Sequence, residues 1–169
     1  MRCKLFGLLL GVAMLIPLVA ANASATTAGT QSLGSYRQIK NFWTGKCLTG
    51  RPGKVHPDTC RNNDDQLWLP VGNGSTSMFV LRSTGMCLDA DNDEAPNPPG
   101  LDGSPMQTYF CFTGITSENW TVQTLDPFSG RTRITSSLGN YCLDDNNGNS
   151  PTVIWTCFDG EHNQDWAFG

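Results

Sequence analysis

After an apolar run from Leu5 to Ala20, the chain holds no second long hydrophobic stretch and no extended helical period of apolar residues. Short β-rich runs follow instead, at Tyr36–Ile39, Met78–Arg82, Thr132–Thr135 and Thr152–Cys157. Turn clusters such as Gly72-Asn73-Gly74 and Asp126-Pro127-Phe128-Ser129-Gly130 separate them, drawn from 18 Gly and 10 Pro. This alternation predicts an all-β chain of short strands.

A second regularity overlies the strands. Gly45-Lys46-Cys47-Leu48 is followed by Cys60 and by Gln66-Leu67-Trp68. Gly85-Met86-Cys87-Leu88-Asp89 is followed by Cys111 and Glu118-Asn119-Trp120, and Gly139-Asn140-Tyr141-Cys142-Leu143-Asp144 by Cys157 and Gln164-Asp165-Trp166. From the second Cys to the Trp the step is 8, 9 and 9 residues. A period of this size marks a repeat architecture whose units are too small to bury a core alone. The copies span about residues 35–75, 76–127 and 128–169, the second enlarged by an acidic, Pro- and Gly-rich insertion from Asn92 to Ser104. Propellers usually need about four to eight blades, so three copies point to a barrel of pseudo-threefold symmetry. Trp68, Trp120 and Trp166 are then expected in the core.

The N-terminus reads as an address label. Arg2 and Lys4 precede the apolar run, and Ala21-Asn22-Ala23 or Ala23-Ser24-Ala25 offers a small-residue cleavage site. A signal peptide over 1–25 and a flexible leader over 26–34 are expected, with a secreted, extracellular product. Removal of Arg2 and Lys4 takes the formal charge from −4 to about −6. That balance disfavours nucleic acid as a partner, and no later segment suits membrane insertion. Cys3 leaves with the signal, and the remaining six cysteines read as three disulfides. Six cysteines permit 15 pairings, and the repeat removes most of that ambiguity, because one within-copy pairing can occur three times: Cys47–Cys60, Cys87–Cys111 and Cys142–Cys157.

Other chemistry finds little support. There is no Cys-x-x-Cys, and His56 and His162 stand apart, so no metal site is expected. Asp89 to Glu94 is acid-rich, but Glu94 and Gly100 stand where a calcium loop needs Gly and Glu. No Gly-x-Ser-x-Gly occurs, and no pair of carboxylates is patterned to face across a cleft, so catalysis is not expected and no cofactor is implied.

The Cys-Leu-Asp motif after a Gly turn, the second Cys and Gln-x-Trp, all in threefold register, resemble the ricin B-type lectin family. The resemblance covers about residues 35–169 and implies a single β-trefoil domain that binds glycans, galactose-type ligands among them. In that family an Asp after Cys-Leu grips sugar hydroxyls. An aromatic two residues before the second Cys stacks on the ring, and an Asn before Gln-x-Trp completes the grip. The chemistry is sound on its own terms: a carboxylate accepts from adjacent hydroxyls, and an aromatic face covers the apolar side of a sugar. Carried over, the third copy holds Asp144, Trp155, Asn163 and Gln164, with Val153 where the family has a polar residue. The second holds Asp89, Gln107 and Tyr109, but Ser117 and Glu118 replace Asn and Gln. The first has Thr49 and Asp58 in place of the Asp and the aromatic, and reads as scaffold. A protein-interaction or inhibitor module on the same scaffold is the alternative function, and a toxin or hydrolase partner chain is left open by the sequence.

Overall fold

The computed structural model describes residues 34–72, 75–90 and 101–169. The expected signal peptide, the leader before Gly34 and residues 92–100 of the insertion lie outside them. Among the described residues are twelve strands, four to a copy. The first four are β1 (Ile39–Asn41), β2 (Cys47–Arg51), β3 (Lys54–Asp58) and β4 (Trp68–Val71). Next come β5 (Met78–Leu81), β6 (Cys87–Ala90), β7 (Ser104–Tyr109) and β8 (Trp120–Asp126). The last are β9 (Arg131–Ser136), β10 (Tyr141–Asp144), β11 (Val153–Thr156) and β12 (Asp165–Phe168). A single 3₁₀ turn precedes the fourth strand of each copy, at Asp64–Gln66, Thr116–Glu118 and His162–Gln164.

The first and fourth strands of each copy close a ring. β1 pairs β12, β12 pairs β9, β9 pairs β8, and β5 pairs β4. Bridges Ser77↔Trp120 and Arg37↔Trp68 join β8 to β5 and β4 to β1. Closure leaves the barrel no free edge. The middle strands form three antiparallel hairpins, β2–β3, β6–β7 and β10–β11, that cap the barrel. This is the β-trefoil arrangement.

The predicted runs at Met78, Thr132 and Thr152 coincide with β5, β9 and β11 to within two residues. The first run is displaced: β1 begins at Ile39, because its partner is the final strand, with Ile39↔Phe168 and Asn41↔Trp166 in register. The strands that carry the Cys-Leu pairs were not among the predicted runs. Their residues are buried on both faces, so they lack the polar-apolar alternation of a half-exposed strand.

At the centre the three tryptophans are buried, each at 1% exposure or less. Their indole N–H groups donate to the carbonyls of Leu48, Leu88 and Leu143 at 2.9, 3.1 and 2.8 Å. The repeat thus fixes both halves of one interaction three times: a large apolar body for the core and a partner for its polar handle. Leu48, Leu88, Leu143, Ile39, Phe79 and Ile134 fill the space between them. Disulfides Cys47–Cys60, Cys87–Cys111 and Cys142–Cys157 staple each cap hairpin within its own copy.

Candidate functional site

Register places the candidate residues in equivalent positions around the threefold axis. Asp58, Tyr109 and Trp155 each lie opposite the first Cys of their hairpin, as Cys47↔Asp58, Cys87↔Tyr109 and Cys142↔Trp155. Thr49, Asp89 and Asp144 sit two residues further, opposite His56, Gln107 and Val153. The copies therefore differ in side chains at one shared geometry.

In the third copy those side chains converge. Asp144 lies at the base of a pocket of about 310 Å³ lined also by Asn146, Asn147, Val153, Trp155, Phe158, Glu161, Asn163 and Gln164. Its Oδ1 accepts from the Asn146 backbone N–H and from Asn163 Nδ2, both at 2.8 Å, and its Oδ2 from Gln164 Nε2 at 3.1 Å. A carboxylate offers about four acceptor positions, so roughly one remains for an incoming hydroxyl. Trp155 stands beside it with 43% of its surface exposed. Gly103, from the end of the second copy's insertion, packs against that ring. Its φ is +84°, and a Cβ there would lie 3.4 Å from Trp155 Cζ3. Asp102 next to it accepts from the Thr156 hydroxyl at 2.8 Å.

Gln164 is wholly buried and its amide is spent within the protein. Nε2 donates to Asp144 and to the Thr156 carbonyl at 3.0 Å, and Oε1 accepts the Phe158 N–H at 3.1 Å. Both of its N–H groups are thereby engaged, one of them on Asp144. Gln66 makes the same clamp in the first copy, donating to Thr49 Oγ1 and the Thr59 carbonyl and accepting the Arg61 N–H. There the clamped residue is a buried threonine, and an Asp58 carboxylate paired with Arg61 stands where the other copies present an aromatic ring.

The second copy keeps the frame but changes its polarity. Asp89 accepts from Gln107 Nε2 at 2.9 Å, and Tyr109 is half exposed beside Phe110 and Phe112, with ring centroids 5.9 and 6.3 Å away. Ser117 is buried where the third copy places Asn163, so no amide reaches the carboxylate from that turn. Glu118 occupies the clamp. Its Oε2 accepts the Phe112 N–H at 2.8 Å, while Oε1 is buried without a hydrogen-bond partner. Burial raises its carboxyl above the usual range; the Phe112 N–H opposes this and the neighbouring Asp89 adds to it.

Sequence reasoning missed Phe158, Glu161, Asn146 and Asn147 as pocket residues. Phe158 is fixed at both backbone ends, its N–H on Gln164 and its carbonyl receiving Arg133 Nη2 at 2.9 Å. Asn146 and Asn147 both have φ of +54°, a conformation asparagine tolerates better than most residues. The Asn-Asn-Gly run after Asp145 was the available signal for that turn. Among the described residues no group of three or more His, Cys, Asp or Glu side chains could hold a metal ion, and no helix is long and apolar enough to cross a membrane.

No protein-family model matches the chain, and no curated protein matches it. Solved structures do. A designed threefold-symmetric protein, ThreeFoil, aligns over 79% of this chain and 96% of its own, at 22% identity and a TM-score of 0.67. A ricin B-like lectin from Macrolepiota procera, solved with lactose, aligns over 81% and 96% at 19% identity and a TM-score of 0.65. An exo-β-1,3-galactanase from Clostridium thermocellum aligns over 79% of this chain but only 30% of its own, at 19% identity and a TM-score of 0.66. At these identities the likeness is one of fold: the chain shares the β-trefoil of these proteins.

Proposed function

We propose that this chain is a secreted carbohydrate-binding protein that holds glycans in its third-copy pocket without altering them. The observation that carries the reading is Asp144, held by three donors beside the exposed face of Trp155. Such a carboxylate is oriented before a ligand arrives, so little ordering is needed on binding. Trp155 covers the apolar face of a pyranose, Asp144 accepts from a ring hydroxyl, and Asn163 supplies the amide edge. Val153 makes the floor apolar and narrows the set of hydroxyls that can be satisfied.

Asp89, Gln107 and Tyr109 form a second, weaker contact of the same kind, short of the amide that Asn163 supplies. Lactose, the ligand of the Macrolepiota procera lectin, is the first sugar to test. Three disulfides support an oxidising, extracellular setting.

A glycan array probed with the chain from residue 26 onward tests the proposal. Binding should concentrate on a related set of glycans, be released by the free sugar, and leave the glycan unchanged in mass. Capture of a protein target that free sugar does not release would favour an interaction module instead. Shortened glycan products would establish an enzyme.

A further inference from the structure

Of the five tryptophans, three are core and the other two flank the same asparagine. Trp155 lies in the Asp144 pocket with Asn163, and Trp43 lies on the other side of Asn163. Trp43 is 67% exposed, an unusual position for so large an apolar ring. It stacks on His162, with centroids 5.7 Å apart and planes within 20°. Together they border a shallow groove of about 210 Å³ completed by Asn147, Gly160, Glu161 and Asn163. Asn147, Glu161 and Asn163 also line the Asp144 pocket, so the two depressions adjoin.

The turn that carries Trp43 belongs to the first copy, yet it is built into the third. Asn41 is fully buried, and its Oδ1 accepts the N–H groups of Trp43 and Thr44, both at 3.0 Å. Its Nδ2 donates to the Asn163 carbonyl at 2.8 Å and to the Asp165 carbonyl at 3.2 Å. One side chain thus sets Trp43 and Asn163 in fixed relation. Two further ties hold the turn: the Thr44 hydroxyl on Asp145 Oδ2 and Lys46 Nζ on the Gly148 carbonyl, each at 2.6 Å. An exposed aromatic on an anchored turn keeps its face presented at small entropic cost.

We propose that Trp43 provides a second sugar subsite, so that the third-copy site reads an oligosaccharide rather than a terminal monosaccharide. This rests on the Asp144 pocket being a glycan site. One ring sits against Trp155 and is gripped by Asp144; the next passes over Asn147 and Asn163 and places its apolar face on Trp43. The subsite is assembled from two copies of the repeat, which no single copy contains.

Calorimetry with galactose, lactose and lacto-N-neotetraose on the wild type, Trp43→Ala and Trp43→Phe is the test. The wild type should bind the tetrasaccharide about tenfold more tightly than galactose, as expected for one added ring contact. Trp43→Ala should lose that gain while binding galactose as the wild type does, which also shows the fold intact, and Trp43→Phe should keep part of it. A wild type that binds all three equally, or a Trp43→Ala variant that retains the gain, overturns the subsite and leaves the Asp144 pocket standing. A wild type that binds none of the three overturns both.

Discussion

Replacing Glu118 with glutamine should stabilise the protein, because the other two copies carry glutamine at that place and use it fully. Gln66 and Gln164 each donate once to the residue after Cys-Leu and once to the carbonyl before the second Cys. Glu118 as a carboxylate can do neither. It leaves Oε1 buried without a partner and faces Asp89 with like charge. A buried polar atom without a hydrogen bond costs about 1–3 kcal/mol, so Glu118→Gln should gain roughly that much at pH 7. Donation to Asp89 and to the Phe110 carbonyl would supply the gain. In thermal unfolding this corresponds to about 3–10 °C in Tm.

The pH dependence follows from the same geometry. The folded carboxyl titrates above its ordinary 4.5, so the penalty is absent below that value, grows as pH rises from it to the folded value, and is fully present above. Urea unfolding of both proteins between pH 3.5 and pH 7 should therefore show curves that converge in acid and separate towards neutrality. An advantage for glutamine that is constant with pH would refute the charge argument. A loss of stability at pH 7 would refute the clamp itself.

Other outcomes bear on the site and the staples. Asp144→Ala should abolish measurable glycan binding in calorimetry, and Trp155→Ala should weaken it by roughly 1–3 kcal/mol, while Thr49→Ala and Asp58→Ala change nothing. On a dense glycan column Asp144→Ala should be retarded weakly through Asp89 and Tyr109, and the double Asp89→Ala, Asp144→Ala variant should pass unretained. An Asp144→Ala protein that already runs through would remove the second copy from the account. Breaking Cys142–Cys157 by paired Ser substitution opens a loop spanning 15 residues and should lower unfolding stability by about 3 kcal/mol, read by denaturant titration.

How much of this could be read from the residues depends on whether each feature repeats. The core tryptophans and the disulfide pairing were legible because three copies of one spacing constrain each other. That Asp144, Trp155 and Asn163 lie together was legible because they occupy register positions in that spacing. Gln164 illustrates the limit: its place was clear, but only the structure shows its three hydrogen bonds, to Asp144, the Thr156 carbonyl and the Phe158 N–H. The strands bearing the Cys-Leu pairs went unseen since burial on both faces erases alternation. Trp43 carried no signal either, being outside the repeated pattern, whereas Phe158 shares with Phe112 the place after the second Cys, a signal that went unused. Trp43 is brought beside the pocket by long-range contacts, among them those of Asn41, whose partners Asn163 and Asp165 lie more than 120 residues away.

A monosaccharide held by three or four polar contacts in an open pocket should bind weakly, near millimolar, or about −4 kcal/mol. High ligand concentration therefore suits the most direct test, a crystal structure of the protein with lactose. One sugar ring should pack on the exposed face of Trp155, with a hydroxyl within hydrogen-bond distance of Asp144 Oδ2 and another at Asn163. Lactose ordered elsewhere on the surface, with Asp144 and Trp155 left uncovered, would contradict it.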